Sequence, residues 1–265
     1  MDLSAIPLFT LHTPKTSQIR GIISIPHSGE NIPPEFTPFL VKNTALYRED
    51  VDFKVHELVD IPALTAEGII VMVANYHRIC IDLNRSKDLC FLAWKQNTQG
   101  EQLVVHEPSE QVRSELISKY YVPYFEILKN IIIDLEQKTK KPVSVIDLHS
   151  MPSRPTEYHF KQNPNQKLER MDFCLSDRKG LTCEADFIHF FADQLAFKNY
   201  SIAINDPYVG GYITEFVNQF KTNNIQIEIN RRIYMDEKTK SLSPESQELR
   251  RNLTQVLIYG FRQFS

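Results

Sequence analysis

Four short segments carry side chains capable of chemistry, and each sits at or near the end of an apolar run. The first is His27-Ser28-Gly29-Glu30. An imidazole and a carboxylate three positions apart fall on one side of a tight turn or helix start, and both are good zinc ligands. The second is Asp82-Leu83-Asn84-Arg85. Its Asn-Arg pair offers a bidentate fork for a carboxylate, and Arg78 just upstream is suited to polarising a carbonyl or stabilising an oxyanion. The third is His149, two residues after Asp147 and therefore on the same face of an extended run. A hydrolytic zinc takes three protein ligands and keeps a fourth position open; His149 would be the third. In the fourth segment, Ile225 to Asn230, isoleucines alternate with Gln226, Glu228 and Asn230, so the polar residues share a face. Glu228 on that face would serve as general base toward a metal-activated water. Each segment alone also has a plainer reading: a loop or capping histidine, a structural arginine, a solvated sheet face.

These residues need a scaffold that gathers strand ends. Gly21–Ile25, the nearly continuous apolar run 68–74, Ile79–Leu83, 143–149, Met171–Leu175, Ser201–Ile204 and Ile225–Ile229 read as strands. Apolar spacing predicts helices over Leu46–Val59 and Ser109–Gln137, the latter kinked or divided at Pro123. Thr182 is expected to cap a further helix, and Ser243-Pro244 to open a last one bearing Leu249, Leu253, Val256 and Leu257. Strands interleaved with helices indicate an α/β fold with a mostly parallel or mixed central sheet and helices on both faces. Sites in such folds form beyond the carboxyl ends of strands. No repeat, low-complexity tract or linker divides the chain, so 1–265 is read as a single catalytic domain.

The 265 residues carry 30 basic and 33 acidic side chains, a net charge of −3, which gives nucleic acid no electrostatic foothold. No run approaches the 18 apolar residues of a membrane span, and no secretory leader pattern opens the chain. Cys80, Cys90, Cys174 and Cys183 form no C-x-x-C pair, so the expectation is a cytoplasmic protein with free thiols.

The order H-x-x-E, D-L-N-R, His-Ser after a strand and then a late glutamate resembles the zinc metallocarboxypeptidase superfamily. Within it, S-I-P-H-S-G, C-I-D-L-N-R, V-I-D-L-H-S-M, S-D-R-K-G, N-D-P-Y-V-G-G-Y and I-Q-I-E-I-N-R-R-I-Y-M, spread from Ser24 to Met235, resemble the N-formylglutamate amidohydrolase family. The resemblance implies a zinc-carboxypeptidase-like fold and a small-molecule N-acyl amino acid as substrate, N-formyl-L-glutamate in the first instance, cleaved to formate and L-glutamate. It implies one zinc ion per chain held by His27, Glu30 and His149, although His and carboxylate ligands also suit other divalent ions. Glu228 would be the base, Arg78 would stabilise the tetrahedral intermediate, and Asn84 and Arg85 would bind a substrate carboxylate. Arg178, Gly210 and Gly211 would complete the pocket. Asp50 and Asp52 stand in reserve for Glu30, and Asp52 with His56 forms an i,i+4 pair able to take a metal. A deacylase or peptidase for another acyl-amino acid or small peptide, or a non-catalytic binding protein on the same fold, would fit the same segments. The other histidines read as surface or satisfied core residues, and Trp94 as a packing residue.

Overall fold

The computed structural model describes residues 6–265. In chain order the elements are β1 (Phe9–His12), β2 (Gly21–Ile25), α1 (Ile61–Ala66), β3 (Ile69–Ala74), α2 (Glu110–Tyr120), α3 (Val122–Thr139), β4 (Ser144–Met151) and α4 (Glu157–Gln162). They continue with β5 (Phe173–Ser176), α5 (Ala185–Phe197), β6 (Ile202–Ile204), α6 (Tyr212–Asn218), β7 (Asn223–Asn230), β8 (Met235–Asp236), β9 (Ser241–Leu242) and α7 (Ser246–Phe264). Strands β1 to β7 form one sheet in the order β1-β3-β2-β4-β7-β5-β6. The inner pairs β3/β2, β2/β4 and β4/β7 are parallel, as is β5/β6, whereas β1/β3 and β5/β7 are antiparallel. The sheet is therefore mixed.

Helices cover both faces. Phe187 and Phe191 of α5 and Leu253 and Leu257 of α7 join Ile23, Ile146, Leu148, Ile225, Ile227 and Ile229 in one core. On the other face Leu116, Tyr124, Leu128, Ile213 and Val217, from α2, α3 and α6, pack with Ile22, Met72 and Val145. Burying each isoleucine of β7 stabilises by about 1.5–3 kcal/mol, which fixes the register of the strand. A slip of one residue would turn every side chain to the opposite face. The apolar alternation thus aims Gln226 and Glu228 at the second face, beside Asp147 and His149 of β4, with which they are in register.

Some expected elements take another form. The segment expected as a helix over Leu46–Val59 is two 3-10 turns, Thr44–Glu49 and Val55–Leu58, joined through Lys54 at positive φ. Val51, Val55, Leu58 and Val59 are buried as the spacing implied, but the chain between the turns is opened to carry Asp50 and Asp52 toward the strand ends. Ile79–Leu83 is a tight turn with one isolated bridge, Ile81 to Phe91, rather than a strand. The long helical stretch divides at Tyr121, with Pro123 in the first turn of α3, where its missing N–H is harmless. Thr182 does not cap α5, because its hydroxyl donates to the Asn224 carbonyl at 2.8 Å.

Candidate active site

Beyond the carboxyl ends of β2, β4 and β7 lies a cleft of about 450 Å³. His27 enters it two residues after β2, His149 from the end of β4, Glu228 from β7, and Asp52 from the opened segment between the 3-10 turns. Facing atoms of His27, Asp52 and His149 lie within 4.8 Å of one another, and all three residues are buried.

Each histidine is oriented by its own carboxylate. Nε2 of His27 lies 2.8 Å from Asp82 Oδ1, and Nε2 of His149 lies 2.9 Å from Asp147 Oδ2. The opposite ring nitrogens therefore turn inward. His149 Nδ1 is 3.0 Å and His27 Nδ1 3.7 Å from Asp52 Oδ2. His27 Nδ1 is buried and has no hydrogen-bond partner. If both Nε2 atoms donate outward, two nitrogen lone pairs and a carboxylate oxygen face one another. Such an array is stable only with a cation at its centre, either a proton or a metal ion. Tetrahedral zinc with bonds near 2.0–2.1 Å would set ligand atoms roughly 3.3 Å apart, close to these spacings, and a carboxylate behind each histidine is the usual support of a metal-binding imidazole. The residues fit a divalent cation.

The electrostatics agree. Burial, with Arg78 nearby, lowers the His27 pKa to about 4, against the opposing pull of Asp82, so the ring is neutral. Burial also opposes a charge on His149, but Asp147 and Asp52 outweigh it and hold that ring protonated well above the usual range. Burial would raise Asp52, yet the hydrogen bond and charge of His149 keep it ionised. Burial lifts Glu228 to about 7, with His149 opposing and Asp52 assisting the rise, and Gln226 Nε2 donates to its Oε1 at 2.7 Å.

Glu30 is not in this group. The H-x-x-E spacing would bring it round only if the chain turned helically after His27. Instead residues 29–31 run on extended, Asn31 bridges to Tyr76 and donates to the Asn75 carbonyl at 3.2 Å, and Glu30 is left exposed and away from the cleft. Asp52 occupies the third place. Its backbone N–H donates to the His27 carbonyl at 3.0 Å, and its Oδ1 faces Arg231 Nη2 at 3.4 Å. Arg231 is itself buried and also donates to the carbonyls of Glu49 and Val51, at 2.9 Å each. Arg231 thus shapes the segment that delivers Asp52. The sequence offered it, within the I-Q-I-E-I-N-R-R-I-Y-M segment, as one of several arginines able to grip a carboxylate.

The other expected residues divide. Arg78 reaches the cleft and donates Nη2–H to Asp82 Oδ2 at 2.8 Å. Arg85 lines the cleft with its side chain 47% exposed, the least committed guanidinium there. Asn84 also lines it, but its Nδ2 lies 3.2 Å from Gln226 Oε1 and 3.3 Å from His149 Nε2 while its Oδ1 accepts from the Ile213 N–H at 3.0 Å, so it is spent on the wall and on His149. Gly211 lies against that amide: a Cβ there would come within 2.2 Å of it. Gly210, at φ +107°, also lines the cleft. Arg178 stands behind the loop rather than in the cleft, with its guanidinium on the Gly210 and Gly211 carbonyls at 3.4 Å and on Glu215 at 3.1 Å. His56 bonds Ser28 rather than pairing with Asp52. His77, beside Arg78, is a satisfied core histidine held between the Tyr47 carbonyl and the Ile79 N–H. Trp94, Tyr158 and Tyr208 line the cleft.

The sequence model of a family described as N-formylglutamate amidohydrolase matches residues 19–235. No curated protein matches the chain. Among solved structures, an N-formylglutamate amidohydrolase from Ralstonia eutropha JMP134 superposes with a TM-score of 0.87 at 26% identity, covering 98% of this chain and 99% of the other. A gene product of Agrobacterium tumefaciens, Atu2144, shares the fold at TM-score 0.68 and 14% identity over 97% and 95% of the two chains.

Proposed function

Because the chain belongs to the N-formylglutamate amidohydrolase family, we propose that it is a zinc-dependent hydrolase of N-acyl amino acids, acting first on N-formyl-L-glutamate to give formate and L-glutamate. The observation that carries the reading is the inward-facing trio of His27 Nδ1, Asp52 Oδ2 and His149 Nδ1, backed by Asp82 and Asp147. A divalent cation held there supplies Lewis-acid activation of water and of the acyl carbonyl.

The chain's own groups supply the rest. Glu228, with a pKa near neutrality, takes a proton from the attacking water on its carboxylate and then delivers it to the leaving nitrogen, so that the amine departs uncharged. Arg78 donates to the carbonyl oxygen as it turns negative, and donors in a cleft sheltered from water count for more than the same donors in bulk solvent. Arg85 grips a carboxylate of the amino-acid part. Gln226 holds Glu228 in place.

One observation favours a second reading. Of the guanidiniums lining the cleft, Arg78 is bonded to Asp82, Arg231 to Asp52 and backbone carbonyls, and only Arg85 is largely free. A substrate with a single carboxylate would satisfy that cation as well as glutamate does. Formate release from N-formyl-L-glutamate, set beside acyl release from N-formyl and N-acetyl derivatives of neutral amino acids, separates the two. Preference for the glutamate compound supports the first reading, and equal or better turnover of the neutral ones overturns it in favour of the second.

A further inference from the structure

We propose that Trp94 is a positioning residue for Arg78, an inference that rests on the role proposed above for that arginine. Trp94 lies on the stretch between β3 and α2 and lines the cleft. Its indole N–H donates to Asp82 Oδ2 at 3.1 Å, the same oxygen that receives Arg78 Nη2–H. The face of its ring meets the Arg78 guanidinium, with Cζ 4.8 Å from the centroid. Tyr158 of α4 packs against the ring as well, centroids 5.6 Å apart.

These contacts close a triangle. A guanidinium tied at one N–H to one carboxylate oxygen still pivots about that bond, and Arg78 Nε is buried with no partner to stop it. The indole removes the freedom twice over. Its face blocks one direction of swing by cation–π contact, and its N–H stops the Asp82 carboxylate from rotating beneath the arginine. Asp82 Oδ1 meanwhile orients His27, so one indole N–H holds the carboxylate that serves both the ligand and the oxyanion-stabilising arginine. A leucine packed there would do neither, and a phenylalanine would keep the face without the donor.

The test is a set of variants with kcat and KM measured separately. Trp94→Leu removes face and donor; its kcat falls roughly 10- to 100-fold, the range for substitutions that support a ligand from behind, with KM nearly unchanged and metal content retained. Trp94→Phe keeps the face and recovers much of the loss. In an Arg78→Met background, Trp94→Leu adds little, because coupled residues are not additive. An unchanged kcat in Trp94→Leu, or full multiplication of the two losses in the double variant, overturns the proposal. Absence of any wild-type turnover would count against the proposed function instead. The emission of Trp94, the only tryptophan in the chain, still decides the contact in that case. Arg78→Met shifts it if the guanidinium lies on the ring, and an unshifted spectrum overturns the role.

Discussion

His27 places Nε2 on the Asp82 carboxylate at 2.8 Å and thereby leaves Nδ1 buried, facing Asp52, with nothing to bond. Burial of an unpaired nitrogen is costly, and here it is paid at the carboxyl end of a central strand, where α/β sheets place their ligands. His149 likewise has a carboxylate behind it, Asp147, but there Nδ1 meets Asp52 Oδ2 at 3.0 Å.

The first expectation concerns that supporting carboxylate. Asp82→Asn removes the charge that orients His27 and pairs with Arg78. Loss of such a partner weakens metal affinity about 10- to 100-fold, measurable by zinc titration against a competing chelator. Unaltered affinity would show that Asp82 serves the fold alone.

Metal binding should release a proton. In the metal-free protein His149 is protonated between Asp147 and Asp52, and a ligand nitrogen must give up its proton to bind a metal. Zinc titration calorimetry at pH 7 in buffers of different ionisation enthalpy should show at least one proton released per metal bound, one from His149 and a further fraction from Glu228. No buffer dependence would mean that His149 is already neutral.

Glu228 fixes the pH response. As base it must be ionised, so kcat/KM falls as pH drops through its pKa, near 7 without metal and lower once a cation sits nearby. Glu228→Gln should cost roughly 10²- to 10⁴-fold in turnover with metal retained. Stability runs the opposite way. A carboxyl whose folded pKa is raised stabilises fully below its unfolded value and loses that contribution as pH rises through the folded one. Metal-free Glu228→Gln should therefore gain on wild type between about pH 4.5 and 7, by on the order of 3 kcal/mol at most, as followed by urea unfolding at several pH values. A constant difference across that range would contradict the raised pKa.

Gly211→Ala tests the wall. Its Cβ would meet the Asn84 amide at 2.2 Å, and overpacking of this kind costs about 1–3 kcal/mol. Because Asn84 braces Gln226, which braces Glu228, turnover should drop more than a thermal melt alone accounts for. Intact turnover in a destabilised variant would separate the wall from the chemistry.

The strands were legible because burial on both faces forces continuous apolar runs, as in β3, or strict alternation, as in β7. That same alternation put Glu228 on the right face. His27 and His149 follow directly from strand ends. Asp52 stood only in reserve behind Glu30 because its place depends on a tertiary path: the chain leaves β2, discards Glu30 to solvent and returns through two 3-10 turns under the grip of Arg231. An i,i+3 spacing implies a shared side only where the backbone turns helically. Trp94 read as packing because one tryptophan in an apolar stretch carries no sign of its N–H partner. β1 escaped notice because an antiparallel edge strand of four residues is only half-buried.

The most direct test pairs metal content with formate release. The untagged protein, its Asp52→Ala variant and its Glu30→Ala variant are each assayed for zinc per chain and for chelator-sensitive formate production from N-formyl-L-glutamate. The account predicts about one zinc per chain and turnover in the wild type and in Glu30→Ala, with both lost in folded Asp52→Ala. Zinc retained by Asp52→Ala but lost from Glu30→Ala, or a wild type that neither binds zinc nor gains activity when it is added, would contradict the site.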